Sequence, residues 1–380
     1  KNLISLDLGG CESLTDVSVL AELKNLTNLG FEGCKSLTDV SALGELKNLT
    51  SLSLSGSHSL SDVSALGELK NLTSLDLSHC ESLDLSGLGE LKNLTNLDLS
   101  KCPLTDVSGL AGLKNLNSLN LSWCESLTDV SVLAGLKNLT TLDLRACRSL
   151  IDVSVLADLK NLTTLNLSWC ESLTDVSVLA GLKNLNTLDL RACRSVTDLS
   201  VLTGLKNLNS LNLGWCESVT DVSVLAELKN LTSLDLSGCE SLRILDPLSS
   251  LFHLKSLNIK ECMRINSVAP LREIPALRKV VGFNPDQISE LLAHAAVLRT
   301  DRAFINEHAK GWCEQLLKMN EATLEDWEQF ATTLGEALSL LGESPHEESY
   351  EDCLRGKPEL KSARPWKAWL SGTREVSGWE

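Results

Sequence analysis

The sequence predicts an α/β solenoid, a stack of short parallel strands joined by tight turns, followed by a small all-helical domain. Three observations predict it: evenly spaced cysteines, alternating apolar residues, and helix signals beyond residue 282. Eleven of the thirteen cysteines recur every 22 or 23 residues, and such a fixed period is typical of solenoids. They are Cys11, Cys34, Cys80, Cys102, Cys124, Cys147, Cys170, Cys193, Cys216, Cys239 and Cys262. Ser57 stands at the one skipped position.

Each repeat contains one strand and one turn. The unit reads LKNLxxLxLxxCxSLTDVSxLxx, and its LxLxx stretch alternates as a strand with one buried face does. The DVSVL stretch that follows predicts a short helical or 3₁₀ turn with Asp as N-cap, as at Asp129 and Asp152. We count twelve strand segments between residues 3 and 259, and a thirteenth at 277–281 that closes the array.

The phrase LTDVSVLAGLKNLTTLDL, residues 127–144, resembles the leucine-rich repeats of the bacterial internalin-like class, with Cys where that class usually has Asn. The resemblance covers residues 1–282, about 12 to 13 repeats. It implies a right-handed solenoid with a parallel sheet on the concave face and helical or 3₁₀ turns on the convex face. Lys1 lies inside a repeat, so we expect the solenoid to be N-terminally incomplete. The fold serves many unrelated binding roles and does not by itself define a function.

The cysteines are predicted to form a structural ladder in the core. Equivalent side chains on stacked coils point the same way, so their vectors do not converge for a disulfide. One thiol per coil in a straight file also gives no tetrahedron for a metal. Cys behaves as a small hydrophobic residue that is readily buried. We therefore predict that these thiols lie in the core and are unreactive in the folded protein.

The columns beside the cysteines carry a second period of 46 residues. The residue just before the cysteine is Trp123, Trp169 and Trp215 in alternate repeats, and Arg145 and Arg191 stand one position earlier in the repeats between. Farther up the strand a polar column also alternates. It consists of Asn120, Asp143, Asn166, Asp189 and Asn212. Together these ten residues are the candidate partner-binding site on the concave face.

Two interpretations of this stripe stay open from sequence alone. Exposed Trp and Arg are enriched at binding hot spots, which favours recognition of a partner. Alternatively the stripe packs against itself, with Arg stacked over Trp or with Arg145 paired to Asp143 or Glu125. A nucleic-acid ligand is disfavoured, because a row of acidic residues on the same face repels phosphates. That row consists of Asp98, Asp143, Asp189 and Asp235.

Residues 283–380 are predicted to form a helical domain that caps the solenoid or docks onto a partner. Asn284, Pro285 and Asp286 give a cap, a first-turn proline and a favourable acid before an apolar run. Two longer amphipathic segments follow, and the tail holds Trp366, Trp369 and Trp379. This aromatic tail is either buried in the domain or offered to a partner.

Charge and motifs argue against several function classes. The net charge is −16, with 24 basic and 32 acidic residues in 1–282 and 10 and 18 in 283–380, so a basic footprint for nucleic acid is absent. We see no membrane span and no signal peptide, and expect a cytoplasmic protein. No phosphate loop, HExxH or GxSxG occurs, so we predict no catalytic residues, no metal and no cofactor. Cys313 and Cys353 also lack the Cys-x-Asp of ubiquitin-ligase domains found in some bacterial repeat proteins.

The sequence thus predicts a non-enzymatic protein-binding module, the sensor or scaffold arm of a bacterial cytoplasmic protein. Its partner is expected to be a protein held on the concave face. The alternative is an effector or enzyme whose activity lies in residues 283–380 or in a missing upstream domain.

Overall fold

The computed structural model of the protein describes residues 2–277 and 279–282. They fall into two compact units, one ending at Val219 and the other beginning at Thr220. Within this described part, no helix has the length and apolar character needed to cross a bilayer. Residues 283–380 lie outside the described part, so the predicted helical domain, its boundary and any activity in it stay predictions.

The first unit contains ten short strands that pair in parallel and in chain order. Their register is strict, with Leu119 opposite Leu142 and Leu142 opposite Leu165, because every repeat places the same apolar residue at the centre of its strand. The strands are β1 (Ser5–Asp7), β2 (Asn28–Gly30), β3 (Ser51–Ser53), β4 (Ser74–Asp76), β5 (Asn96–Asp98), β6 (Ser118–Asn120), β7 (Thr141–Asp143), β8 (Thr164–Asn166), β9 (Thr187–Asp189) and β10 (Ser210–Asn212).

The second unit contains three described strands with the same parallel pairing. They are β11 (Ser233–Asp235), β12 (Ser256–Asn258) and β13 (Lys279–Val281). The predicted thirteenth strand is therefore present, and the predicted parallel repeat architecture is confirmed.

The turns between strands are 3₁₀, mostly of five residues. Asp129 lies just before the N-cap residue Val130, and its Oδ1 accepts the N–H of Ser131 at 2.8 Å. This backbone hydrogen bond lowers the pKa of the Asp129 carboxyl, because it favours the ionised form. The turns of the first unit are Ser18–Glu22, Ser41–Glu45, Ser64–Glu68, Leu88–Glu90, Ser108–Leu110, Ser131–Gly135, Ser154–Asp158, Ser177–Gly181 and Ser200–Gly204. Those of the second are Ser223–Glu227, Asp246–Ser250 and Ala269–Glu273.

The two repeats that are one residue short accommodate the deletion in their turns. Leu88–Glu90 and Ser108–Leu110 have three residues where the other turns have five. Gly87, with φ of 87°, occupies the N-cap of the first of them in a left-handed conformation that glycine adopts without a steric penalty. The strands on either side keep their register.

The core is a file of leucines with the cysteines beside it. All eleven described cysteines are free; ten are buried, and Cys11 is exposed. Buried thiols donate to a carbonyl of the preceding coil, as Cys147 Sγ does to the Leu121 oxygen at 3.2 Å and Cys170 Sγ to the Leu144 oxygen at 3.2 Å. Burial raises the pKa of Cys170 to about 12, which keeps it protonated. Ten of the eleven cysteines are thus core residues, as predicted, whereas the prediction was wrong for Cys11, which is exposed.

Candidate binding strip

Trp123, Trp169 and Trp215 lie in the left-handed turn that follows a strand. Their φ angles are 64°, 62° and 61°, a region that costs a side-chain-bearing residue about 1–2 kcal/mol. The turn is fixed to the next coil, because the N–H of Trp169 donates to the Arg191 carbonyl at 2.7 Å. The tryptophans therefore line the edge beyond the carboxyl ends of the strands. We call Trp123, Arg145, Trp169, Arg191 and Trp215 the tryptophan-arginine strip.

The indoles alternate with small residues at the same turn position. Ala146 and Ala192 are fully buried between the tryptophan-bearing coils. Trp123 keeps 39% of its surface exposed, and Trp169 and Trp215 are half-buried. A large ring beside a small neighbour explains this packing, so each tryptophan is held in place while part of it stays in contact with solvent.

The two arginines of the strip are exposed. The Arg191 Cζ lies 5.9 Å from the centroid of the Trp169 ring, within range of a cation-π interaction. Within the described residues, neither the Arg145 nor the Arg191 guanidinium donates a hydrogen bond to the protein. Self-packing therefore accounts for one stacked pair and leaves the guanidinium donors available.

The polar column next to the strip caps the turns. We call Asn120, Asp143, Asn166, Asp189 and Asn212 the capping row; each residue ends its strand and is half-buried. Its side-chain oxygen accepts the N–H two residues on, as Asp143 Oδ1 does from Arg145 at 2.8 Å and Asn166 Oδ1 from Ser168 at 3.0 Å. The sequence placed these residues in a binding surface without showing this bond.

The alternation of Asp and Asn in the capping row has a physical cause. Asn120 Nδ2 donates to Asp98 Oδ2 at 2.8 Å, Asn212 Nδ2 donates to Asp189 Oδ2 at 3.3 Å, and Asn166 donates to Asp143. Burial raises the pKa of the Asp143 carboxyl, so a second carboxylate beside it would be costly. Alternating amides with acids supplies a donor to each carboxylate and keeps like charges apart.

A third alternating column follows the cysteines, and the sequence reasoning missed it. Glu125, Arg148, Glu171, Arg194 and Glu217 form a charged row at the exposed side of the turn. Arg148 lies 3.7 Å from Glu125 and 3.4 Å from Glu171, and Arg194 lies 3.3 Å from Glu217. The signal was the change of charge sign at every cysteine. Glu125, one of the two partners predicted for Arg145, thus pairs with Arg148. Arg145 instead donates its backbone N–H to Asp143, and its positive charge lowers the pKa of that carboxyl, opposing the effect of burial.

Comparison with known proteins places these coils in a family. Family models match residues 136–263 (plant disease resistance protein RPS2-like, leucine-rich repeats), 92–135 (leucine-rich repeats, two copies) and 68–92 (leucine-rich repeat). The crystal structure of an internalin, InlF, from Listeria monocytogenes is 30% identical, with 64% of this chain and 76% of that one covered and a TM-score of 0.50. The chain belongs to the leucine-rich-repeat family.

Its leucine-rich repeats are of the bacterial internalin-like class, as the sequence indicated. Internalin C2 from Listeria monocytogenes is 34% identical, with 51% of this chain and 83% of that one covered and a TM-score of 0.46. The functional domain of InlJ from the same organism, which includes a cysteine ladder, shares the fold at 23% identity, with 74% and 63% covered and a TM-score of 0.51. No curated protein matches the chain significantly.

Proposed function

We propose that this leucine-rich-repeat protein is a non-enzymatic binding module, the sensor or scaffold arm of a bacterial cytoplasmic protein. It recognises a protein partner through the tryptophan-arginine strip. Repeat arrays of this kind use their extended surfaces for binding. The observation that carries the proposal is a row of partly exposed indoles interleaved with exposed arginines whose donors make no hydrogen bond within the described residues.

The size of the side chain, and not backbone strain, distinguishes the strip. Four coils have glycine at the turn position, and the coils that carry another side chain there, such as His79 and Ala146, share the positive φ of the tryptophans. The steric cost of about 1–2 kcal/mol is therefore common to all of them. What is particular to Trp123, Trp169 and Trp215 is a large, partly exposed indole, which offers contact area to a partner.

The capping row belongs to the proposed site as a set of positioning residues. Its oxygens hold the turn that presents the strip, and its amides join neighbouring coils. Because these hydrogen bonds already fix the side chains, less conformational entropy is lost when a partner binds.

Charge and thiol chemistry support the class of partner and the location. The net charge of −16 and the half-buried acids of the capping row oppose a nucleic-acid backbone and favour a protein. The cysteines described here are all free thiols, which suits a reducing cytoplasm. Among the described residues no three potential ligands converge on a metal site, and the proposal includes no metal or cofactor.

Replacing Trp169 by glycine tests the proposal. Trp169→Gly removes the central indole and relieves the positive φ of 62°, so the array should stay folded. Affinity capture from a bacterial lysate identifies the partner, and the purified partner is then titrated calorimetrically. We expect binding to weaken by about 2 kcal/mol or more, as for an interface hot spot.

The matched control is His79→Gly, which makes the same backbone change at φ of 58° in a coil outside the strip. It should bind as the wild type does, and thermal unfolding of both variants verifies the fold. Equal affinity of wild type and Trp169→Gly for the purified partner would refute the proposed site.

A further inference from the structure

We infer that the tryptophan-arginine strip binds a neutral or basic proline-rich segment in the polyproline II conformation, with one turn of the ligand for every two coils. This inference rests on the proposed function and names the chemistry of the partner. The spacing of the indoles, the free donors of the arginines and the charge of the surrounding surface each support it.

The spacing of the strip matches the pitch of a polyproline II helix. Neighbouring strands of the first unit pair in strict register, so successive coils are about 4.8 Å apart. The tryptophans recur every second coil and are thus about 9.6 Å apart. A polyproline II helix rises about 3.1 Å per residue with three residues per turn, about 9.3 Å. A ligand lying along the strip therefore presents the same face to Trp123, Trp169 and Trp215.

The arginines select against other regular conformations of the ligand. An α-helix with apolar residues seven apart repeats after about 10.5 Å, close to the same spacing, but its central carbonyls are already hydrogen-bonded. A polyproline II segment has no internal hydrogen bonds, and its carbonyls are free acceptors. Arg145 and Arg191 each offer five N–H donors and lie between successive indoles. The arginine donors of the strip and the carbonyl acceptors of the ligand therefore recur with the same spacing.

The exposed parts of the indoles complete the match. Proline rings dock against aromatic-lined surfaces, and the preformed ligand loses little conformational entropy. Trp169 already stacks with Arg191 at 5.9 Å, so ring and guanidinium form one continuous surface before the ligand arrives. At the same turn position of the coils between the tryptophans, Ala146 and Ala192 are small and buried.

The charge of the residues around the strip restricts the charge of the ligand. The capping row places Asp143 and Asp189 beside the strip, half-buried, and the chain carries a net charge of −16. An acidic segment would be repelled by both. Neutral carbonyl oxygens satisfy the arginines without adding negative charge, and a neutral or basic segment complements the surface.

Synthetic peptides test the inference with the whole 380-residue chain. The probe is a fluorescently labelled, end-blocked peptide of ten prolines, measured by anisotropy. Comparison ligands of the same length are a glycine-serine peptide, an α-helical peptide with leucines seven apart, and an oligothymidylate. We expect the proline peptide to bind and the other three to bind at least about tenfold more weakly.

Variants then locate the binding. Trp169→Gly should weaken the proline peptide about 30-fold, the change expected for a hot-spot residue. Arg191→Lys keeps the charge but loses the planar fork of donors, and it should also weaken binding. His79→Gly should leave it unchanged.

The outcomes separate this inference from the proposed function. If Trp169→Gly abolishes capture of the protein partner while the proline peptide does not bind at millimolar concentration, the inference is wrong and the proposed function stands. Tighter binding of the helical peptide or of oligothymidylate at the strip would also overturn the inference. If neither the captured partner nor the peptide responds to Trp169→Gly, both proposals fail.

Discussion

Ser57 is the one residue that breaks the cysteine ladder, and the structure shows the effect of the exchange. The residue is fully buried, and its Oγ has no hydrogen-bond partner within the described part of the chain. In other coils the longer Cys side chain reaches a carbonyl of the preceding coil, as Cys102 reaches Leu77 at 3.2 Å. A buried hydroxyl without a partner costs about 1–3 kcal/mol.

Ser57→Cys should therefore stabilise the protein by about 1 kcal/mol, because the thiol fills the ladder position and reaches the carbonyl of Phe31. Urea unfolding followed by circular dichroism measures the change. Ser57→Ala, which only removes the unsatisfied hydroxyl, is the control and should fall between wild type and Ser57→Cys. A Ser57→Cys protein less stable than Ser57→Ala would contradict the explanation.

At the scale of the element, two neighbouring strands are joined by the amide and the acid at their ends. Asn166 at the end of β8 donates to Asp143 at the end of β7, and burial raises the pKa of Asp143. The two side chains also cap turns, because the Oδ1 atom of each accepts a backbone N–H two residues on. The alternation of Asn and Asp in the sequence thus reflects a hydrogen bond that joins neighbouring strands.

Asn166→Asp should destabilise the protein by about 1 kcal/mol at pH 7, since it replaces a donor by a second carboxylate. In the folded variant the neighbouring carboxyls have pKa values above those in the unfolded chain. The variant therefore loses stability as the pH rises through these carboxyl pKa values. The difference in stability between variant and wild type should shrink towards pH 4. Unfolding free energies at pH 4 and pH 7 measure this.

The control combines Asn166→Asp with Asp143→Asn and Asp189→Asn, because position 166 lies between both acids in the sheet. It leaves one carboxylate between two amides, and it should recover most of the loss at pH 7. Equal loss in the single and triple variants would show that neighbouring carboxylates are not the cause.

The strands and the 3₁₀ turns were predictable because each depends on residues within a single repeat. Alternation placed Leu142 and Leu144 on the buried face, and the DVS phrase located the turn at Ser131–Gly135. The left-handed conformation of Trp169 is not evident from its own repeat, but glycine at the same position of other coils, such as Gly56 and Gly238, is a signal for it. The contact of Arg148 with Glu125 joins two coils, so a single repeat does not reveal it.

The stability of a repeat protein is close to a sum over its repeats and the contacts between neighbouring repeats. Small effects that recur in every coil therefore add up. The buried thiols are the clearest example. Burial raises the pKa of Cys80, Cys124 and Cys216 to about 12, from an ordinary value of 9.0. The folded form therefore keeps protons that the unfolded chain loses in alkaline solution.

Stability should fall as the pH rises above about 9, because the unfolded thiols ionise there and the folded ones do not. Between pH 9 and the raised values, each such thiol contributes a loss of up to about 1.4 kcal/mol per pH unit. Urea midpoints at pH 7, 9 and 10 under reducing conditions measure the loss.

A variant with Cys124→Ala and Cys170→Ala separates the thiols from other groups that titrate in alkali. It should be less stable than wild type at pH 7, yet lose less stability between pH 9 and pH 10. Parallel losses in both proteins would assign the alkaline sensitivity to other side chains.

The 46-residue pairing of coils gives the strip a discrete length. One turn of the pattern carries a tryptophan, an arginine and the ion pairs that flank them, all within consecutive coils. A gain or loss of one such segment during replication of the gene would leave every strand in register and would change the number of tryptophan-bearing coils by one. On the function proposed above, affinity for an extended ligand would then rise or fall in steps, as the valency of a multivalent receptor does.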